Sequence, residues 1–186
     1  MKRIFDFIFS LMALLMLSFL LVLLAVAVRL SSSGPSLYWS DRVGKRNIIF
    51  KMPKFRTMQV GAPTLATHLL SNSSQYLTPI GAFLRKSSLD ELPQLWSIFV
   101  GDMSFVGPRP ALFNQEDLIA LRIQHGVDRL VPGLTGWAQV NGRDDLSIPD
   151  KVGYEVVYLQ NQSFWFDIRI LGLTFLQTFR RAGISH

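Results

Sequence analysis

Residues 7–28, FIFSLMALLMLSFLLVLLAVAV, run for 22 positions with only Ser10 and Ser18 polar. Coiled into a helix, such a run matches the roughly 20 apolar residues needed to cross the hydrocarbon core of a bilayer. A cleaved signal peptide is the rival reading, with Lys2-Arg3 as its charged start and Ala25-Val26-Ala27 as its small-residue cleavage site. Signal peptides carry an apolar stretch of only about 7–15 residues, however, and this one is longer. The segment is therefore read as embedded in the membrane.

Charge on its flanks sets the expected topology. Between positions 29 and 56 lie Arg29, Arg42, Lys45, Arg46, Lys51, Lys54 and Arg56 against the single acid Asp41. By the positive-inside rule that flank is cytoplasmic. Lys2 and Arg3 carry the same charge on the other flank, so a simple crossing satisfies one end and a re-entrant helix satisfies both. Asp6 is costly at the edge of an apolar run unless paired. It lies one turn from Arg3, either as an ion pair or as the solvated start of the helix. The domain division is then 1–30, a membrane-embedded re-entrant helix, and 31–186, a small domain on the cytoplasmic side.

The 186 residues hold no cysteine and three histidines without ligand spacing, which excludes thiolate chemistry and argues against a zinc centre. The formal charge of +6 comes without aromatic residues interleaved among the basic ones, so nucleic acid is not the expected partner. Lipid headgroups and phosphorylated substrates account for the excess.

Beyond the linker Ser31-Ser32-Ser33-Gly34-Pro35, residues 38–42 and 47–52 read as two strands around Gly44-Lys45-Arg46. Residues 57–79 read as a polar loop with some helix. Residues 80–86, 93–100 and 112–125 read as helices, the last presenting Leu118, Leu121 and Arg122 on one face. Residues 137–140 read as a strand. Residues 164–181 read as an intensely apolar helix at the membrane interface, ending in Arg180-Arg181. The expected fold is helix-rich α+β with a short β-hairpin and interfacial amphipathic helices.

The chemistry is expected in Ser88-Leu89-Asp90-Glu91-Leu92-Pro93-Gln94-Leu95, followed by Gly107-Pro108-Arg109-Pro110. Adjacent carboxylates near a rigidly held arginine suit phosphoryl transfer, which needs a nucleophile, a metal holder and cationic clamps. Ser88-Leu89-Asp90-Glu91 also matches a capping box, with Ser88 capping and Glu91 reaching back. Pro93 fits badly inside a helix started at Ser88 and well at the first turn of one beginning later, which leaves the acids just outside it. Residues alone leave capping and catalysis both open. No glycine loop for a nucleoside triphosphate or dinucleotide occurs.

Four blocks carry a resemblance: residues 54–58 (KFRTM), 88–96 (SLDELPQLW), 101–110 (GDMSFVGPRP) and 132–143 (PGLTGWAQVNGR). In that order they resemble the bacterial sugar transferases, specifically the small monotopic phosphoglycosyl transferases. The resemblance implies transfer of a sugar 1-phosphate from a UDP-sugar to undecaprenyl phosphate, with release of UMP, as the first membrane step of glycoconjugate synthesis. It implies Asp90 as the nucleophile of a covalent phosphosugar-aspartate, and Glu91, with Asp90, at a Mg²⁺ ion. Arg85 and Arg109 would bind phosphate, with Lys54, Arg56 and Arg143 adding to the same electrostatic work.

Where that family often kinks its membrane helix with Ser-Pro, this chain has Ser18-Phe19, and only a mild bend is expected. Glu155, three residues before Tyr158, and Met52-Pro53 are further departures. The bare form of the chain points to a UDP-N-acetylated amino sugar. The oligomeric state is unknown from sequence. A non-enzymatic cationic membrane adaptor, its acids only capping helices, is the alternative function.

Overall fold

The structure, a computed structural model, describes residues 1–62, 73–142 and 145–184; side chains are described up to residue 177, Ser73 and Ser74 excepted. Arg143, much of the 57–79 loop and the side chains of Arg180 and Arg181 thus lie outside the described residues. The chain opens with α1 (Lys2–Met16) and α2 (Ser18–Ser31). A hairpin of β1 (Leu37–Val43) and β2 (Ile49–Phe55) follows. Next come α3 (Gly81–Ser87) and α4 (Gln94–Val100), then β3 (Ser104–Val106), β4 (Ala111–Leu112) and α5 (Glu116–Gln124). Last are β5 (Gly133–Thr135), α6 (Trp137–Val140), α7 (Ile148–Asn161) and α8 (Phe164–Ile184). The helix-rich α+β expectation holds.

β1 is the centre of an antiparallel sheet in the order β2-β1-β4, with Leu37 opposite Phe55, Tyr38 opposite Lys54 and Arg42 opposite Leu112. As an edge strand, β2 tolerates Pro53, whose missing N–H would break a central ladder. β3 and β5 form a separate parallel pair. Their loops cross where Gly107 meets Gly133 and Gly136: a Cβ on Gly136 would lie 2.1 Å from the Gly107 carbonyl oxygen. No other residue type fits that approach, and it fixes the start of the Pro108-Arg109-Pro110 turn.

Residues 137–140, expected as a strand, are the helix α6. Ala138, Gln139 and Val140 are all buried in succession, a pattern that alternation cannot produce, and Asn141 Nδ2 donates to the Trp137 carbonyl at 2.7 Å to close the turn. The 112–125 helix is shorter at its start, because Ala111 and Leu112 pair with β1 instead.

No single described helix is long and apolar enough to cross a membrane; α1 and α2 together are, bent by 63° at Leu17. The bend is much sharper than the mild one expected from Ser18-Phe19. Ser18 Oγ does donate back to the Leu15 carbonyl at 2.8 Å, but packing explains the angle better. Ala13, Leu14 and Leu17 dock on Phe50, Met52, Leu95, Ile98 and Met103, whereas Leu20, Leu21 and Ala25 pack beside Leu24 and Val28 on Phe55 and Leu84. Two differently placed apolar surfaces hold the two half-helices.

Arg3 and Asp6 do not pair with each other, and Asp6 is buried. The Arg3 guanidinium donates to the carbonyls of Ile98 and Phe99 at 2.5 and 2.6 Å, satisfying the C-terminal end of α4. Asp6, 3% exposed, accepts from the Phe105 backbone N–H at 3.2 Å. Lys2 reaches Asp167 at 2.6 Å, and Tyr158 donates to the other oxygen of that carboxylate at 2.6 Å. The start of α1 is thereby tied to β3, α4 and α8.

α8 buries Ile170 and Asp167 and exposes Trp165, Phe175 and Leu176, so it covers the core with one face and presents an apolar face outward. Asp6→Ala leaves the Phe105 N–H buried without its acceptor and is expected to cost about 1–3 kcal/mol of stability. Denaturant unfolding in micelles measures it, and an unchanged midpoint would contradict the tie between α1 and β3.

Candidate active site

The acidic pair sits on a turn whose shape follows from its leucines. α3 stops at Ser88, which adopts the left-handed conformation (φ 57°) and makes no capping bond through its side chain. Leu89–Glu91 then forms a single 3-10 turn before Pro93 opens α4. At three residues per turn, Leu89 and Leu92 share one face, and both pack into the Leu24, Val28, Phe55, Leu84 cluster. Asp90 and Glu91, between them, line a cavity of about 610 Å³. The capping-box arrangement is absent, and the acids stand outside the helix as Pro93 implied.

Around these two acids the cavity wall carries Arg42, Lys54, Arg56, Arg85 and Arg109. Lys54 Nζ and Arg109 Nη2 both donate to one oxygen of Glu91, Oε1, at 2.8 and 3.3 Å. Arg85 Nε donates to Thr57 Oγ1 at 2.9 Å, and its charge acts on Asp90. Arg56, 5% exposed, turns to the linker, where it donates to Ser32 and Ser33 carbonyls and to Ser32 Oγ. Of the cations expected from sequence, Lys54, Arg85 and Arg109 thus gather at the acids, Arg56 secures the linker beside them, and Arg143 lies outside the described residues.

The neighbouring carboxylates are driven apart electrostatically. Burial pushes the Asp90 carboxyl above its ordinary range; Lys54 and Arg85 pull it back, and Glu91 adds to the rise. Burial acts on Glu91 in the same direction, but Arg109 and Lys54 outweigh it and hold Glu91 down to about 2. Environments that split a carboxylate pair this way assign two roles: a basic, poorly compensated group and a permanently charged one.

Arg109 is held from behind. Its carbonyl accepts from Arg122 Nη2 at 3.0 Å, and Arg122 is itself paired with Glu155 through bonds of 2.8 and 2.5 Å inside the core. A buried ion pair contributes little net stability but fixes geometry, here that of the turn bearing Arg109.

Sequence reasoning missed Arg42. Its signal lay in the hairpin register, since Tyr38, Ser40 and Arg42 alternate on β1 and line the same cavity as Lys54, the cross-strand neighbour of Tyr38.

An α+β domain with two adjacent acids set among cations has the components that transfer of a phosphorylated group requires. The bacterial sugar transferase family model matches residues 1–181, and the chain belongs to that family. It is 35% identical to an undecaprenyl-phosphate galactose phosphotransferase of Salmonella typhimurium over 98% of this chain and 41% of that protein. It is 38% identical to a UDP-glucose:undecaprenyl-phosphate glucose-1-phosphate transferase of Escherichia coli over 96% of this chain and 40% of the relative. The chain thus spans about two fifths of the length of those two relatives. An uncharacterized sugar transferase of Bacillus subtilis, EpsL, is 36% identical over the whole of this chain and 90% of its own length.

The charge balance sets the pH behaviour. Asp90 has its folded pKa raised, so its ionisation opposes folding as pH rises above the ordinary carboxylate range; Asp90→Asn should therefore be more stable than wild type at pH 7. Glu91 has its folded pKa depressed, so its contribution is complete above about 4.5 and is lost as pH falls toward about 2. Glu91→Gln should cost about 1–3 kcal/mol at pH 7 by removing the carboxylate that Lys54 and Arg109 both grip. It should also flatten the acid-side loss of stability. Unfolding of the three proteins across pH reads both effects, and a destabilised Asp90→Asn beside an unaffected Glu91→Gln would contradict the assignment.

Proposed function

We propose that this chain transfers a sugar 1-phosphate from a UDP-sugar to undecaprenyl phosphate, releasing UMP, at the cytoplasmic face of the inner membrane in polysaccharide synthesis. The observation that carries this reading is the juxtaposition, on one turn, of Asp90 and the cation-clamped Glu91 in a cavity whose charged lining is otherwise cationic.

Asp90, the more basic of the two acids, is the nucleophile. Its carboxylate oxygen attacks the sugar-bearing phosphorus, a P–O ester bond forms, and the bond to the UMP oxygen breaks with its electron pair leaving on UMP. An oxygen of the lipid phosphate then attacks the same phosphorus, and the aspartate leaves as carboxylate. The acceptor is a phosphate monoester with a second pKa of about 6, already largely ionised at neutral pH, so no general base is required. What both steps need is screening between anions, and Arg85, Arg109 and Lys54 supply it.

The residues fit Mg²⁺ of the substrate-assisted kind, held by one or two carboxylates together with phosphate oxygens and water. Both cations on Glu91 grip Oε1, leaving Oε2 for a metal, and Asp90 is adjacent. Among the described residues no cluster of three or more metal-binding side chains exists. When bound, the ion would neutralise the charge developing on the diphosphate.

For membrane attachment, the bent α1–α2 pair would enter and leave on the same side. Lys2 and Arg3 at its start bond to Asp167 and to the Ile98 and Phe99 carbonyls, and Ser32 in the linker beyond it accepts from Arg56, so both ends are tied to the same domain. Leu15, Met16 and Phe19 around the bend are among its most exposed residues, as expected of the deepest point. The exposed apolar face of α8, with Trp165, would rest at the headgroup level.

The donor sugar belongs to one of two classes: the hexoses that relatives' names give, glucose and galactose, or N-acetylated amino sugars. UMP release measured over UDP-glucose, UDP-galactose and UDP-N-acetylated sugars, with undecaprenyl phosphate and Mg²⁺, tests the reading. One donor class should be turned over by wild type and not by Asp90→Asn. Undiminished turnover by that variant would rule out the nucleophile, and no turnover of any donor would favour the adaptor.

A further inference from the structure

Arg42 stands in the middle of β1 and lines the same cavity as the acidic pair. Its Nε donates to Ser40 Oγ at 3.0 Å and its Nη1 to the Pro110 carbonyl at 3.2 Å, so both hydrogen-bond partners are neutral oxygens. Glu91, the acid nearest in effect, is already gripped by Lys54 and Arg109. Burial and the repulsion of Arg109 lower the Arg42 pKa to about 10, which leaves the guanidinium charged at neutral pH, partly stripped of water and beside a second cation.

Such a group is held at a cost unless an anion arrives to share it. Its two neutral bonds fix the plane of the guanidinium without neutralising it, which pre-organises a fork for phosphate oxygens. The Pro110 bond also places it next to Arg109, so two guanidinium groups of one strand pair and its adjoining turn face the same cavity. From this arrangement we infer that Arg42 is a donor-binding residue that takes phosphate oxygens of the nucleoside diphosphate, with Arg109 and apart from the nucleophile. The inference rests on the proposed reaction and extends it to a residue on the hairpin.

Equilibrium binding of UDP to the full chain in detergent micelles, with Mg²⁺, is the test. Arg42→Gln should weaken UDP by about tenfold or more, and Arg42→Lys, which keeps the charge and loses the fork, by about threefold. Uridine, which lacks phosphate, should bind both variants as it binds wild type, and their thermal midpoints should stay near that of wild type. Should Arg42→Gln fail to fold, the Arg42→Lys comparison of UDP with uridine decides.

Equal UDP affinity in all three proteins, or a parallel loss for UDP and uridine, overturns the inference. So does a defect confined to the acceptor step, read as slower transfer to undecaprenyl phosphate with donor binding intact. If wild type releases UMP while UDP binding ignores Arg42, only this inference falls. If wild type neither binds UDP nor releases UMP, the proposed reaction falls with it.

Discussion

Two carboxylates on consecutive residues can be withdrawn from water together only if cations are arranged around them, and the rest of the molecule is organised by that requirement. Lys54 comes from the edge strand β2, Arg109 from the turn after β3, and Arg85 from the last turn of α3. Each side chain is supplied by a different element. The compensation is also unequal: Glu91 receives two direct bonds, whereas Asp90 receives mainly field. That inequality separates a permanently ionised group from a more basic one, and a double-displacement mechanism needs one of each.

The scaffold behind the cations is correspondingly rigid. Arg109 lies between two prolines, its carbonyl is held by the buried Arg122–Glu155 pair, and Gly107 is locked against Gly133 and Gly136. β3, which leads into that turn, is in turn bonded to Asp6 of the first helix and to Tyr158 through the Val106 carbonyl. An acid in an apolar N-terminal helix therefore has a use unrelated to crossing a bilayer: it secures the strand that leads into the turn bearing Arg109. The polar residues at the head of α1 dock that helix on the domain, and its apolar outer face is left exposed.

Much of this was legible in the residues. The hairpin around Gly44 and the interruption of helix before Pro93 followed from local chemistry, and the grouping of Lys54, Arg85 and Arg109 with the acidic pair followed from the family resemblance. What was not legible depended on contacts remote in sequence. Nothing near Arg3 says that its partners are carbonyls at 98 and 99, and nothing near Leu17 says that two separate clusters will pull α1 and α2 apart by 63°. Arg56 looked equivalent to Lys54 two residues away, yet β2 ends at Phe55 and the returning linker draws Arg56 to Ser32 and Ser33. The four residues of α6 were too few to reveal a period, and the glycine contact that sets their direction joins positions 107 and 136.

The measurement that bears most directly on the role of Asp90 is intact-protein mass spectrometry of the full chain with Mg²⁺ and each UDP-sugar, in the absence of lipid. The account predicts a mass gain of one sugar phosphate, mapped to the segment 88–95, absent from Asp90→Asn and discharged when undecaprenyl phosphate is added. Formation of lipid-linked product with no such adduct under any donor would contradict it.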